Sequence, residues 1–340
     1  MSLPLPAGAR MEGPFLYGPW FDRLFIFGTA GIALVLGALA MISPAMFVAV
    51  VLVDVWLFAS PHVIATYTRI GSDKAQVKKH WFLIFGLPPL VLALVTMVAL
   101  AYELGGLFTL YFIAQTYHVT RQSFGIARAY QRADPQAAGP DRLAESLIYL
   151  FPLWGLMHRC TTAPESFYGY PIYLPSVDAA LTGATGIVAV FLCAWWGYRQ
   201  LRLALAGRLN TGHSLFVASH LLVTAVAYLW VTDITSGWLV VNIWHNLQYL
   251  QFVWLQNVRR DAQGRLDTQE FHRLVKPFKN AGKYLALCLV LGAVMYEALS
   301  VAGRQLLWLG LPTVFILHFT VNFHHYLVDG VIWKRRKTAA

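Results

Sequence analysis

Seven of the eleven histidines, His62, His118, His220, His245, His318, His324 and His325, fall inside segments apolar enough to cross a bilayer. Imidazole nitrogens suit iron, zinc, copper and nickel, and an ionisable ring in hydrocarbon costs free energy unless it is paired, hydrated or bound. Several such rings at a common depth point to a metal site. The stretch HFTVNFHHYLVDGVIWK is the most specific element, because His318, Asn322, His325 and Asp329 follow the offsets of one helical face, with His324 beside it. Asp329 stands four residues after His325, where a carboxylate can accept the second imidazole N–H and fix its tautomer, or serve as a ligand itself. QTYHVTRQ places Gln115, His118 and Gln122 on one face with Arg121 beside them, and NIWHNLQYLQ does the same for Asn242, His245 and Gln248 or Tyr249. Gln115, Gln122 and Asn242 are therefore candidates to hold water or substrate, although amides also join helices inside membranes.

The elements that must position these groups are helices. Hydrophobic residues make up 58% of the 340-residue chain and charged residues 12%, with a mean hydropathy of +0.55. An all-α, polytopic membrane helix bundle is expected. Ten apolar segments stand at residues 24–43, 46–68, 81–102, 106–127, 144–158, 177–198, 214–231, 236–256, 284–301 and 306–328. The fifth is short and holds Pro152, where a full crossing needs about 20 residues. Keeping it as a crossing puts all but Arg159 and Arg304 of the 26 basic residues at or near one side, as the positive-inside rule requires. Both termini are then cytoplasmic, and a multi-pass protein of a bacterial-type inner (plasma) membrane is expected. Residues 1–23 read as an interfacial lead-in without a cleavable signal, 24–333 as a single transmembrane domain and 334–340 as a basic cytoplasmic tail.

In this topology His62 lies seven residues before Arg69 and His220 seven after His213, about 10 Å from their helix ends. His118 lies ten residues before Arg128 and His325 nine before Lys334, roughly 14–15 Å by the same rise. His245, fourteen residues before Arg259, is expected a turn or two deeper unless the eighth segment projects into the cytoplasm, as its polar end Gln256 and Asn257 would permit. Pro61 precedes His62, and Pro88 and Pro89 interrupt the third segment; a helix-interior proline removes a ladder bond and frees carbonyls near the polar site. Asp267, Glu270, Arg273 and Lys276 have the spacing of a short surface helix, and the aromatic stretch SFYGYPIYLP suits an interfacial anchor or a lid. The net charge of +10 follows from the positive-inside pattern and fits anionic headgroups rather than nucleic acid. Cys160, Cys193 and Cys288 form no CxxC pair.

Five to seven candidate histidines exceed the needs of a lone zinc. One or two iron ions would use them, and an apolar shell would admit dioxygen and a hydrophobic substrate. A zinc-dependent lipid hydrolase and a proton- or metal-coupled transporter are the alternatives; a haem protein passing electrons across the bilayer would need two histidine layers. The layout resembles the histidine-rich membrane non-haem iron enzymes, the fatty-acid desaturase and hydroxylase group, and more distantly the bacterial carotene dioxygenases of the Brp and Blh type. SPHVIA around His62 and IWHNLQY around His245 are similar to iron-binding stretches of the dioxygenases, and FHHYLVD to the paired histidines of a desaturase box. The chain departs from those patterns in lacking an HxxxH box, with Tyr249 four residues after His245 where a second histidine is expected. The resemblance implies an oxygen-dependent oxidoreductase acting on a lipid or isoprenoid, served by an electron-donor protein.

Overall fold

The computed structural model describes residues 15–71, 74–135, 139–264 and 280–333. Its long helices are α1 (Pro19–Ala40), α2 (Pro44–Gly71), α3 (Phe82–Ala133), α4 (Arg142–Thr162), α5 (Ala179–Leu205), α6 (Thr211–Trp230), α7 (Ile234–Ala262), α8 (Ala281–Gln305) and α9 (Thr313–Ile332). Six of them, α1, α2, α3, α5, α6 and α8, are long and apolar enough to cross a membrane. The polar faces of α4, α7 and α9 keep those three below that measure of hydropathy. The basic tail, most of the lead-in and the Asp267 to Lys276 segment lie outside the described residues.

Many large apolar side chains face outward, and several polar ones are buried. Helix α5 turns Ile187 and Phe191 outward at 74% and 68% exposure, while Thr182, Gly186 and Ala189 are buried. Large apolar side chains on the surface and polar ones inside are what a lipid solvent selects, since lipid tails drive no burial of leucine but penalise exposed hydrogen-bonding groups.

Helix α3 is two helices joined at Glu103, whose backbone is non-helical with φ 55° and ψ −156°. Unbroken, 52 residues would run about 78 Å, far beyond a hydrocarbon core of about 30 Å. The break falls between the two segments expected from hydropathy. Two π-helical turns, Asp54–Ala59 in α2 and Phe82–Gly86 in α3, stand immediately before Pro61 and Pro88. A proline ring clashes with the carbonyl four residues back, and widening the turn relieves that clash while leaving carbonyls to be satisfied from elsewhere.

The aromatic stretch after α4 forms a two-residue hairpin, Ser166–Phe167 paired antiparallel with Tyr170–Pro171. Tyr168 and Gly169 both have positive φ, 54° and 76°, the conformation of a tight primed turn. Phe167 and Tyr168 pack edge-on against Trp238, and the Tyr168 amide donates to the Thr235 hydroxyl. This is an anchored element, and the one departure from helix among the described residues with strand pairing.

The chain divides into two compact units. Unit one holds Leu52–Ala114 and the described part of Asn246–Ala340; unit two holds Gln115–His245 and the described part of Gly8–Val51. In unit one, Ile64, Ala65, Tyr249, Leu250, Val253, Tyr284 and Cys288 form a buried cluster from α2, α7 and α8. Gly292 permits this approach, because a Cβ there would meet the Ser60 backbone at 3.1 Å. In unit two, Phe25, Tyr130, Phe216 and Trp244 stack across α1, α3, α6 and α7.

Candidate functional site

In unit one, α2 and α9 bring His62 and His325 together with their Nε2 atoms 2.7 Å apart. Both rings are buried, His325 completely. Beside them lies a hydrogen-bonded network that decides the protonation of the pair. His325 Nδ1 is 2.8 Å from the Thr66 hydroxyl, Thr66 donates to Asp329 Oδ1 at 3.0 Å, and the Tyr249 hydroxyl donates to the same oxygen at 2.5 Å. Trp333 Nε1 donates to the Tyr249 oxygen at 3.3 Å. With Asp329 ionised, Thr66 donating to it lets the Thr66 oxygen accept from His325 Nδ1–H, which puts the lone pair of His325 on Nε2, toward His62 Nε2. The Tyr249 hydroxyl also lies 2.7 Å from that of Thr66. In this arrangement His325 has the tautomer that a metal ligand requires.

Direct contact between Asp329 and His325, expected from their spacing, is corrected here. Their closest approach is 4.0 Å, and Thr66 stands between them. Each helix uses the same device: Thr66 is one turn after His62 on α2, as Asp329 is one turn after His325 on α9. Sequence reasoning finds Asp329 and misses Thr66, whose i, i+4 spacing from His62 is too common in apolar helices to single it out. Tyr249, standing where a second histidine was expected, packs its ring 4.5 Å from that of His62 and anchors Asp329.

Two other candidate histidines serve proline-freed carbonyls. His324 donates from Nε2 to the Leu83 carbonyl at 2.6 Å. In the π-helical register, where Leu87 N–H bonds Phe82 O, the partner of Leu83 O would be Pro88, which has no N–H. Nδ1 of His324 must then accept, and Tyr67 OH supplies its proton at 3.0 Å. In unit two His220 Nε2 donates to the Ile148 carbonyl at 3.1 Å, and the residue four on from Ile148 is Pro152. Within a membrane such carbonyls are satisfied by neighbouring helices. We therefore expect His220→Ala to destabilise the fold by about 1–3 kcal/mol, the cost of a buried unsatisfied acceptor. Adding Pro152→Ala should recover much of that loss by returning an N–H to Ile148. Thermal unfolding of the single and double variants in detergent checks this, and equal loss in both would contradict it.

His318 points elsewhere, with Nε2 3.1 Å from the Ser300 hydroxyl on α8, and Asn322 accepts from Tyr296 OH at 2.9 Å. The polar face of α9 is therefore divided: its first half pairs with α8 and its second with α2.

Unit two holds a second histidine pair, His118 on α3 and His245 on α7, packed edge to face with ring centres 4.9 Å apart. Both are buried. The expected amides surround them but are bound to protein groups. Gln115 donates to Asn242 Oδ1 and accepts from Trp238 Nε1 at 3.0 Å, and Gln122 donates to the His245 carbonyl at 3.3 Å. Gln115 and Asn242 thus tie α3 to α7 on the helix faces that carry the pair.

The chain accordingly contains buried histidine groups that could hold a metal ion. Comparison with protein-family models, curated proteins and solved structures returned no match.

Proposed function

We propose that this protein is an integral-membrane, iron-dependent oxidoreductase, using one or two iron ions and dioxygen to hydroxylate, desaturate or cleave a lipid or isoprenoid. His62 and His325 are its ligands in one unit and His118 and His245 in the other, and an electron-donor protein supplies reducing equivalents. In this reading the chain crosses a bacterial inner membrane ten times with both termini in the cytoplasm, as the distribution of basic residues favours.

The observation that carries the reading is the His62–His325 pair with its Thr66, Asp329 and Tyr249 support. The network is poorly explained as glue. A buried carboxylate on an apolar helix is costly, whereas an interhelical hydrogen bond in a membrane returns only about 0.6 kcal/mol. Orientation of a ligand gives a reason for keeping the carboxylate there. The donor set fits iron: neutral imidazoles with a carboxylate nearby suit a borderline cation.

When bound, iron would supply the activation of dioxygen. In this reading the residues of this chain hold a proton on His325 Nδ1, present its Nε2 toward His62 Nε2 and exclude bulk water with the surrounding aromatic rings. Elemental analysis of detergent-purified protein tests the proposal. Stoichiometric iron with ferrous-dependent oxygen uptake is expected; zinc alone would point to a hydrolase, and folded, metal-free protein that takes up no iron would overturn the reading.

A further inference from the structure

Arg121 follows His118 by three residues on α3, about 4.5 Å along the axis, in the part of that helix beyond the break at Glu103. Its Nη1 donates to the Tyr149 hydroxyl at 2.7 Å, and its guanidinium lies 5.3 Å from the centre of the Phe124 ring. Arg128 approaches the same ring at 5.4 Å. Arg128 has a carboxylate, Glu145, at 2.9 Å, which the exposed Arg142 also reaches at 3.4 Å. Two guanidinium groups thus share a single carboxylate. Among the described residues no carboxylate lies within ion-pair distance of Arg121.

Two other arginines of unit two, Arg159 and Arg199, are compensated within the protein, while the exposed Arg202 has the Tyr198 hydroxyl and ring. Arg159 donates to the carbonyls of Ala227, Val231 and Thr232, and Arg199 faces Asp141. An arginine that merely snorkels to headgroup water needs no fixed partner. Arg121 is held by a hydroxyl on one side and an aromatic face on another, with most of its five donors left for a planar anion.

We propose that Arg121 binds the anionic head, carboxylate or phosphate, of a long apolar-chain ligand and seats that ligand beside His118. That the ligand is the substrate rests on the oxidoreductase reading; the anion site itself rests on the geometry of α3 and α4.

Binding is measured on full-length, metal-free protein in nanodiscs of neutral phosphatidylcholine, with radiolabelled oleate and its uncharged counterpart oleyl alcohol. The wild type should bind oleate at least about tenfold more tightly than the alcohol, the effect of a charge-assisted hydrogen bond. Arg121→Gln should erase that preference without changing alcohol binding, and Arg142→Gln should keep it. Tyr149→Phe, which leaves the charge and removes its anchor, should weaken oleate several-fold and keeps the test decisive if Arg121→Gln does not fold. Displacement of oleate by added phosphatidylglycerol would identify bilayer lipid as the source of the anion, and resistance to it a free amphiphile; both support a site at Arg121. Equal affinity for oleate and oleyl alcohol, or an Arg121→Gln protein that still prefers oleate, overturns the proposal. Failure here leaves the iron reading intact, and an iron-free protein leaves this site intact.

Discussion

Purified His325→Ala protein is expected to contain background iron where the wild type is stoichiometric, with metal affinity reduced at least about 100-fold, beyond the range of losses seen when only a supporting partner of a ligand is removed. His62→Ala should behave alike, because its Nε2 shares a 2.7 Å approach with His325 Nε2. The comparison that gives this result its meaning is His324→Ala. His324 is the immediate neighbour of His325 in sequence, yet both its ring nitrogens are engaged by Leu83 and Tyr67. It should keep its metal and lose thermal stability instead. Metal content and unfolding temperature, measured on all three variants in the same detergent, separate the two roles; metal loss in His324→Ala would contradict the assignment.

The second large effect is expected at Asp329. Asparagine keeps the shape but brings an amide that can donate to Thr66, so the Thr66 proton turns toward His325 Nδ1 and the imidazole proton moves to Nε2, where it blocks ligation. Affinity for ferrous or cobaltous ion, measured by competition with a chelator, should fall about 10–100-fold. Thr66→Val breaks the same relay and should cost a similar amount. Because the two residues act through one tautomer, the double variant should be little worse than either single one, the signature of residues in one network. Thermal stability should hold or rise, since the substitution removes a buried charge. A strictly additive loss, or unchanged affinity in Thr66→Val, would show that the network does not govern the tautomer.

The candidate site was legible in part, and particular residues show why. His62 and His325 are recognisable as candidate ligands from their placement in apolar segments, and Asp329 as a candidate partner from its i, i+4 spacing, because a helix fixes which side chains share a face. Thr66 was not legible. A threonine four residues after a histidine is common in any apolar helix, and nothing in α2 alone indicates that α9 will present Nδ1 to it. His220 and His324 show the converse. In sequence they look like His325, apolar neighbours included, and their distinction depends on which foreign carbonyl lies opposite. The prolines that free those carbonyls, Pro152 and Pro88, were visible from the start; the pairing of each with a histidine 68 or more residues away was not.

Composition and hydropathy by themselves determined that the chain is helical and carries segments suited to lipid, because a bilayer leaves the backbone few ways to satisfy its hydrogen bonds. Helical periodicity further determined which polar residues stand together along each segment. Only the tertiary structure decided which of those faces meet, separating the His62–His325 pair from the histidines that satisfy proline-freed carbonyls. The reason is that imidazole can donate to a carbonyl or present a lone pair to a cation with equal ease, and the choice is set by what the neighbouring helix offers to its other nitrogen.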